Sequence, residues 1–423
     1  MSESRPSKDT RKTPPELIDT VIDCASDSVS TLKACSLVSR SWLPRARTHL
    51  FRSMNLHFHE GHRPVSLSTY LSNLRLCILS VPEIVSCVEH LSIFLSPQPD
   101  SSNPSQIMNS MPENLPFNKL KTIDIGTAFY GTFLPAVAWR APRILSLIQQ
   151  NPDLETISLF GSGLGRSEEP EAQIEAALLA YVTTRIPGLK SLRLCEFDVP
   201  RNALASAISP SHPIATLNPK GHLSNLQSLA LEHCQFGLAE ALFPQGGVYR
   251  FPSLASLVLL DCNRPDPEGN FKFVNRCPGH VRHLVIALSE MENNIFSASF
   301  HLMFKLSDLV LYWSTPQQVG DLLEHIVAVG AIRLKFLRLN QLFVQNRDEL
   351  AALDSAFTVF ISKTPSLKKI LVSISINQHN AAESLLSANI HETSVAFPES
   401  AQTGLLEVVS ESVVCDMHGP MDK

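Results

Sequence analysis

Leu226-Gln227-Ser228-Leu229-Ala230-Leu231 and, 28 residues on, Leu254-Ala255-Ser256-Leu257-Val258-Leu259 share one spacing: apolar, two residues, apolar, one residue, apolar. The last positions alternate, so one face of an extended segment is apolar. Upstream the triplet occurs as Val88-Leu91-Ile93, Leu120-Ile123-Ile125, Leu154-Ile157-Leu159 and Leu189-Leu192-Leu194. Downstream it continues as Val281-Leu284-Ile286, Leu306-Leu309-Leu311, Leu334-Leu337-Leu339 and Leu367-Ile370-Val372. Successive copies begin 25 to 37 residues apart. A short strand recurring at that interval, with room for a helix between copies, predicts a stack of strand–helix units.

The spacing resembles the L-x-x-L-x-L core of leucine-rich repeats. It predicts an α/β fold over 53–375: a leucine-rich-repeat-like solenoid with parallel strands inside and helices outside. Met54, Leu56 and Phe58, alternating with Asn55, His57 and His59, predict a leading strand. The segments Ile174–Val182, Val319–Val327 and Leu350–Phe360 carry helical apolar periodicity and are expected on the convex side. The Pro- and Ser-rich stretch 96–116 is expected as a flexible insert, and 376–423 as a C-terminal cap and mostly disordered tail.

Ahead of the repeats, 13–52 predicts three short helices behind a flexible tail, 1–12. Thr13-Pro14-Pro15-Glu16 reads as a capped helix start with Pro14 at the first helical position, followed by an apolar stripe through Leu17, Ile18, Val21, Ile22 and Ala25. Ser26-Asp27-Ser28 breaks the pattern, a second stripe runs through Leu32, Cys35, Leu37, Val38 and Trp42, and Pro44 opens a third helix. About 40 residues bury little surface alone, so such a fragment needs a partner or a neighbouring domain to cover it.

Pro14-Pro15-Glu16-Leu17-Ile18 and Leu32-Lys33-Ala34-Cys35-Ser36-Leu37-Val38-Ser39-Arg40-Ser41-Trp42 closely resemble the F-box of fungal F-box proteins. The resemblance departs at Thr13, where a Leu usually stands, and at the Ser-rich break, which usually holds an Asp-Pro turn. It implies a Skp-type adaptor, and through it a cullin, as partners. Pro15, Leu17, Ile18, Ile22, Leu32, Leu37, Val38 and Trp42 would face the adaptor. Cys234 and Cys262, eight residues after their first leucines, resemble the irregular cysteine-containing repeats of the same proteins.

Composition narrows the function classes. The net charge is −5 and the pI about 6.3, which offers no basic footprint for nucleic acid. No apolar run is long enough to span a membrane, and Met1 to Thr13 shows no secretory signal. Nine cysteines, an odd number without C-x-x-C spacing, suit reduced thiols of a cytoplasmic or nuclear protein.

Catalytic motifs are sparse. Gly161-Ser162-Gly163-Leu164-Gly165 has Arg166 where a dinucleotide fingerprint needs its third glycine, and reads as a turn. His57, His59 and His62 around Glu60 resemble a metal cluster but fall on the polar side of a strand; His280 and His283 are expected at strand edges. The expectation is a non-enzyme with no cofactor and no metal.

Outward triplet positions include an apolar run, Val258, Val285 and Val310, with Tyr312, Trp313 and Arg338 beside it, expected as an exposed target-binding strip. Together these features predict the substrate-recruiting subunit of a Skp–cullin–F-box-type ubiquitin ligase. The alternative is a leucine-rich-repeat interaction scaffold that joins no ligase and uses its N-terminal helices as an end cap.

Overall fold

The computed structural model describes residues 13–59, 76, 82–96, 116–127, 141–160, 178–179, 181–182, 185–195, 223–232, 234, 253–260, 280–287, 305–312, 314–330, 333–344, 347–376 and 396–409. The fold is α/β, and the strands are parallel in sequence order. The chain divides into two compact units, 1–132 with 146–154, and 133–145 with 155–423.

The first unit opens with α1 (Pro15–Cys24), α2 (Val29–Val38) and α3 (Leu43–Leu50). Their shared core is Ile22, Leu32, Cys35 and Ala46, with Ile18, Ala25, Trp42 and Leu50 packed against it. Along each helix these residues recur at intervals of three or four, the spacing that brings one face together. Pro14, with no side-chain cap, precedes α1, and Pro15 is the first helical residue; the expected capping box at Thr13 does not form. Ser28 does cap α2, accepting from the Thr31 N–H at 3.3 Å.

Asp23 ties the ends of α1 and α3. Arg45 donates to both its carboxylate oxygens (2.6 and 2.7 Å), and His49 Nε2 lies 2.7 Å from Oδ1. The Arg45 guanidinium first, and His49 second, hold the Asp23 carboxyl well below the usual carboxylate range.

The unit continues with β1 (Ser53–His59), α4 (Pro82–Val85), β2 (His90–Ser96) and β3 (Thr122–Thr127), in the register Met54–Leu91–Ile123. Helix α5 (Ala141–Gln149) falls across the division between units.

The second unit runs β4 (Thr156–Phe160), β5 (Ser191–Cys195), β6 (Ser228–Glu232), β7 (Ser256–Leu260), β8 (His283–Ala287) and β9 (Asp308–Tyr312). It continues with α6 (Pro316–Val329), β10 (Phe336–Val344), α7 (Arg347–Lys363) and β11 (Lys369–Ile376), then α8 (Pro398–Ala401) and β12 (Leu406–Val408). The ten sequence triplets coincide with β2 to β11, and the second and third residue of each is at most 3% exposed. In the second unit these residues stand in register from strand to strand, for example Leu229–Leu257–Leu284–Leu309–Leu337. Each such side chain contributes about 1.5–3 kcal/mol on burial, so the triplet is both the repeat signal and the main cohesive element.

Helix α6 has strong local start and stop signals. Thr315 and Gln318 form a reciprocal capping box, and Gly330, at φ 63, closes the helix by donating to the Ile326 carbonyl. Residues 396–409, part of the stretch expected as cap and tail, form α8 and β12. Phe397 is fully buried, and Ile370, Leu371 and Val372 of β11 pair with Leu406, Glu407 and Val408.

Candidate interaction surfaces

Eight large apolar side chains are exposed among the described residues, and five of them, Leu17, Val21, Val29, Leu37 and Val38, lie on α1 and α2. Exposed apolar residues scattered singly are ordinary, but a group this local marks a contact surface. Leu17 and Val21 sit one turn apart on the exposed side of α1, about 100° round the helix from Ile18 and Ile22. Leu37, at the end of α2, is 86% exposed.

The structure sorts the eight docking residues expected from the resemblance. Pro15, Leu17, Leu37 and Val38 are exposed, and Ile18 and Trp42 are half-buried against the module core. Ile22 and Leu32, at 0 and 1% exposure, belong to that core. Val21 and Val29 were absent from that set, although Val21 stands one helical turn from Leu17.

The expected target-binding strip is corrected. Val285, Val310 and Tyr312 are buried, and with Leu260 and Ala287 they form an apolar cluster of their own, with half-buried Val258 against it. Arg338, next to Val310 in register, is only 5% exposed. The physical signal lies in the strands themselves. Leu-Val-Leu-Leu, Leu-Val-Ile-Ala and Leu-Val-Leu-Tyr are continuous apolar runs, which parallel strands show when both faces are buried. Trp313 lies outside the described residues, as do Gly161–Arg166, His62 and the side chains of His57 and His59.

Beside this cluster are several buried polar groups. Among the described residues, neither ring nitrogen of buried His283 finds a hydrogen-bond partner, nor do Ser314 Oγ, Asn340 Nδ2 and Ser373 Oγ. Pairing of β10 with β11 shifts between Leu339 and Leu342, where Gln341 takes φ 59, a left-handed conformation uncommon for a residue with a Cβ.

Burial, and secondarily the Arg338 charge, push His283 below its ordinary pKa, against the opposing pull of Asp308. The unfolded chain therefore binds a proton that the folded chain resists, so folded stability falls as pH drops below about 6.5 toward the lowered value. We expect His283→Phe to flatten that loss between about pH 6.5 and 5. Parallel urea titrations of both proteins read this, and an unchanged pH slope would contradict it.

Cys24, Cys35 and Cys87 carry free thiols. No described helix is long and apolar enough to cross a membrane. Compared with known proteins, the chain matches no family model, and no curated protein is significantly similar to it.

Proposed function

We propose that this chain is the substrate-recruiting subunit of a Skp–cullin–F-box-type ubiquitin ligase, with α1–α3 as an F-box and the parallel-strand region as a leucine-rich-repeat-like solenoid holding a target. The observation that carries the reading is the exposed apolar group on α1 and α2, on the same residues whose sequence resembles an F-box. A module that only capped its own chain would turn such side chains inward, because exposing them forfeits about 1.5–3 kcal/mol each.

The mechanism is proximity. The helices hold the adaptor, the solenoid holds the target, and the associated ligase subunits bring the charged ubiquitin-conjugating enzyme. The gain comes from effective concentration, without chemistry by this chain's own side chains. In this reading the protein works in the cytoplasm or nucleus.

Co-purification of the full chain with a Skp-type adaptor tests it. The native protein should bind, and Leu37→Asp should weaken binding by at least about tenfold, the loss of one buried leucine anchor. Both proteins should keep the same circular dichroism spectrum, since Leu37 is no part of the module core. Failure of the native chain to bind would leave an interaction scaffold outside any ligase.

A further inference from the structure

The residue just before each strand belongs to a row of its own. Its backbone N–H donates to the carbonyl of the same row one repeat earlier, as from Ser307 to Arg282 (2.8 Å) and from Lys335 to Ser307 (2.8 Å). Lys368 donates to Lys335 in the same way (2.7 Å). Members of the row are thus about 4.8 Å apart.

In the first unit each cation of the row has a carboxylate beside it, Glu89 standing 3.0 Å from Arg52 and 3.4 Å from Lys121. At the start of the second unit Glu155 and Lys190 pair at 2.7 Å. Across β8 to β11 the balance disappears. The row there reads Arg282, Ser307, Lys335, Lys368, and the positions two residues earlier read His280, Lys305, Arg333, Ser366.

Arg282, Lys305, Arg333, Lys335 and Lys368 are all exposed. Lys305 donates to His280 Nδ1 at 2.9 Å, and the other four have no ion-pair partner among the described residues. Two acidic neighbours among the described residues are already engaged: Asp308 is half-buried and accepts from Ser307 Oγ, and Glu407 pairs with Lys369 at 2.7 Å. The chain carries a net charge of −5, yet concentrates five cations on one rim. Like charges held this close repel one another, and an anion lying along the row relieves that repulsion.

We propose that this rim binds an acidic segment of a partner polypeptide, an extended run rich in Asp and Glu. Four strands span about 14 Å, the length of four or five extended residues, so carboxylates on such a run meet successive cations. The two rows contain no Phe, Tyr or Trp on which nucleic-acid bases would stack, which favours carboxylates over a single-stranded polynucleotide. The inference holds whether or not α1–α3 dock an adaptor.

Fluorescence anisotropy with the full chain and a fluorescein-labelled Glu/Asp peptide of about eight residues tests it. The native protein should bind, and affinity should fall as salt rises toward physiological strength. Reversing Arg333, Lys335 and Lys368 together to Glu should weaken binding at least about tenfold. The same reversal in the balanced rows, at Lys119, Lys121 and Lys190, should leave more than about a third of the affinity, although the net charge changes equally. Lys335→Gln, which adds no negative charge, should weaken binding about threefold with an unshifted thermal transition. No binding by the native chain, or equal losses in both triple variants, would overturn the proposal. So would tighter binding of an oligothymidylate of matched length.

Discussion

Replacing Asp354 by Ala is expected to detach residues 396–409 from α7, at a cost of about 3–5 kcal/mol to their docking. Asp354 sits in the middle of α7 and is 3% exposed. Its two carboxylate oxygens accept the backbone N–H groups of Glu399 (2.8 Å) and Ser400 (2.9 Å), and its own carbonyl accepts Ser400 Oγ at 3.1 Å. Helix α8, a single turn, thus takes the cap for its first amides from a side chain 45 residues upstream. Hydrogen bonds to a charged acceptor contribute about 1.5–3 kcal/mol each, and their loss leaves the buried Ser400 N–H without its partner.

Alanine is the best helix former, so α7 itself should not suffer. What remains to hold the segment is the Ser400 hydroxyl on the backbone carbonyl of residue 354, its contact with the Thr358 hydroxyl (3.4 Å), the edge-to-face contact of Phe357 with Phe397 (5.5 Å between centroids) and the short β11–β12 pairing. Hydrogen exchange should show lost protection across 396–409 and along Ile370–Val372, with β4 to β8 unchanged. Asp354→Asn, which keeps one acceptor oxygen, should fall between the two. Native-like protection of 396–409 in the alanine variant would show that the remaining contacts hold the segment without the carboxylate.

That docking also shows where sequence reading stops. Leu350, Leu353, Phe357 and Phe360 announce a helix with one buried face, and α7 buries all four. Asp354 lies on that buried side beside Leu353, and nothing local explains a carboxylate there, because its partners lie in a segment whose polar composition reads as tail. The triplets were legible for the opposite reason. A period-two apolar pattern of strands and a repeat interval are local properties, and neighbouring copies satisfy one another.

The second face of the same strands was legible only in part. Continuous runs such as Leu257-Val258-Leu259-Leu260 signal burial on both faces, yet alternation alone suggests an open outer row, and Val285 and Val310 prove buried. In the N-terminal module the apolar stripes were legible, but not their division between core and surface. Ile22 and Leu17 are equally apolar, and only the packing of α1 on α3 through Asp23 and Arg45 decides which turns inward. The basic rim was hidden by an average. A net charge of −5 conceals a local excess that appears only when register places one residue from each repeat side by side.

Asn151 carries the other large expected effect, in the first unit. It is 1% exposed and uses its whole amide: Nδ2 donates to the carbonyls of Phe117 (2.8 Å) and Leu147 (2.7 Å), and Oδ1 accepts the Leu120 N–H (2.8 Å). The side chain joins the turn entering β3 to the end of α5, among Phe117, Leu120, Ile148 and Leu154, each fully buried. Asn151→Leu keeps the branched shape with somewhat larger bulk but orphans one donor and two acceptors where water does not reach, at a cost of about 3–5 kcal/mol.

Asn151→Asp separates hydrogen bonding from packing. A carboxylate still accepts from Leu120 but confronts two carbonyl oxygens, so its folded pKa should rise above the unfolded value of about 3.9. Above that value the unfolded chain holds fewer protons than the folded one, so stability falls as pH rises and returns on acidification toward about pH 4. Hydrogen-exchange protection of 117–125 and 146–157 measures both variants. The leucine variant should lose protection at every pH, and the aspartate variant should regain it in acid. If Asn151→Leu stays within about 1 kcal/mol of the native protein, the site relaxes to rescue its orphaned groups and the amide is not what joins these segments.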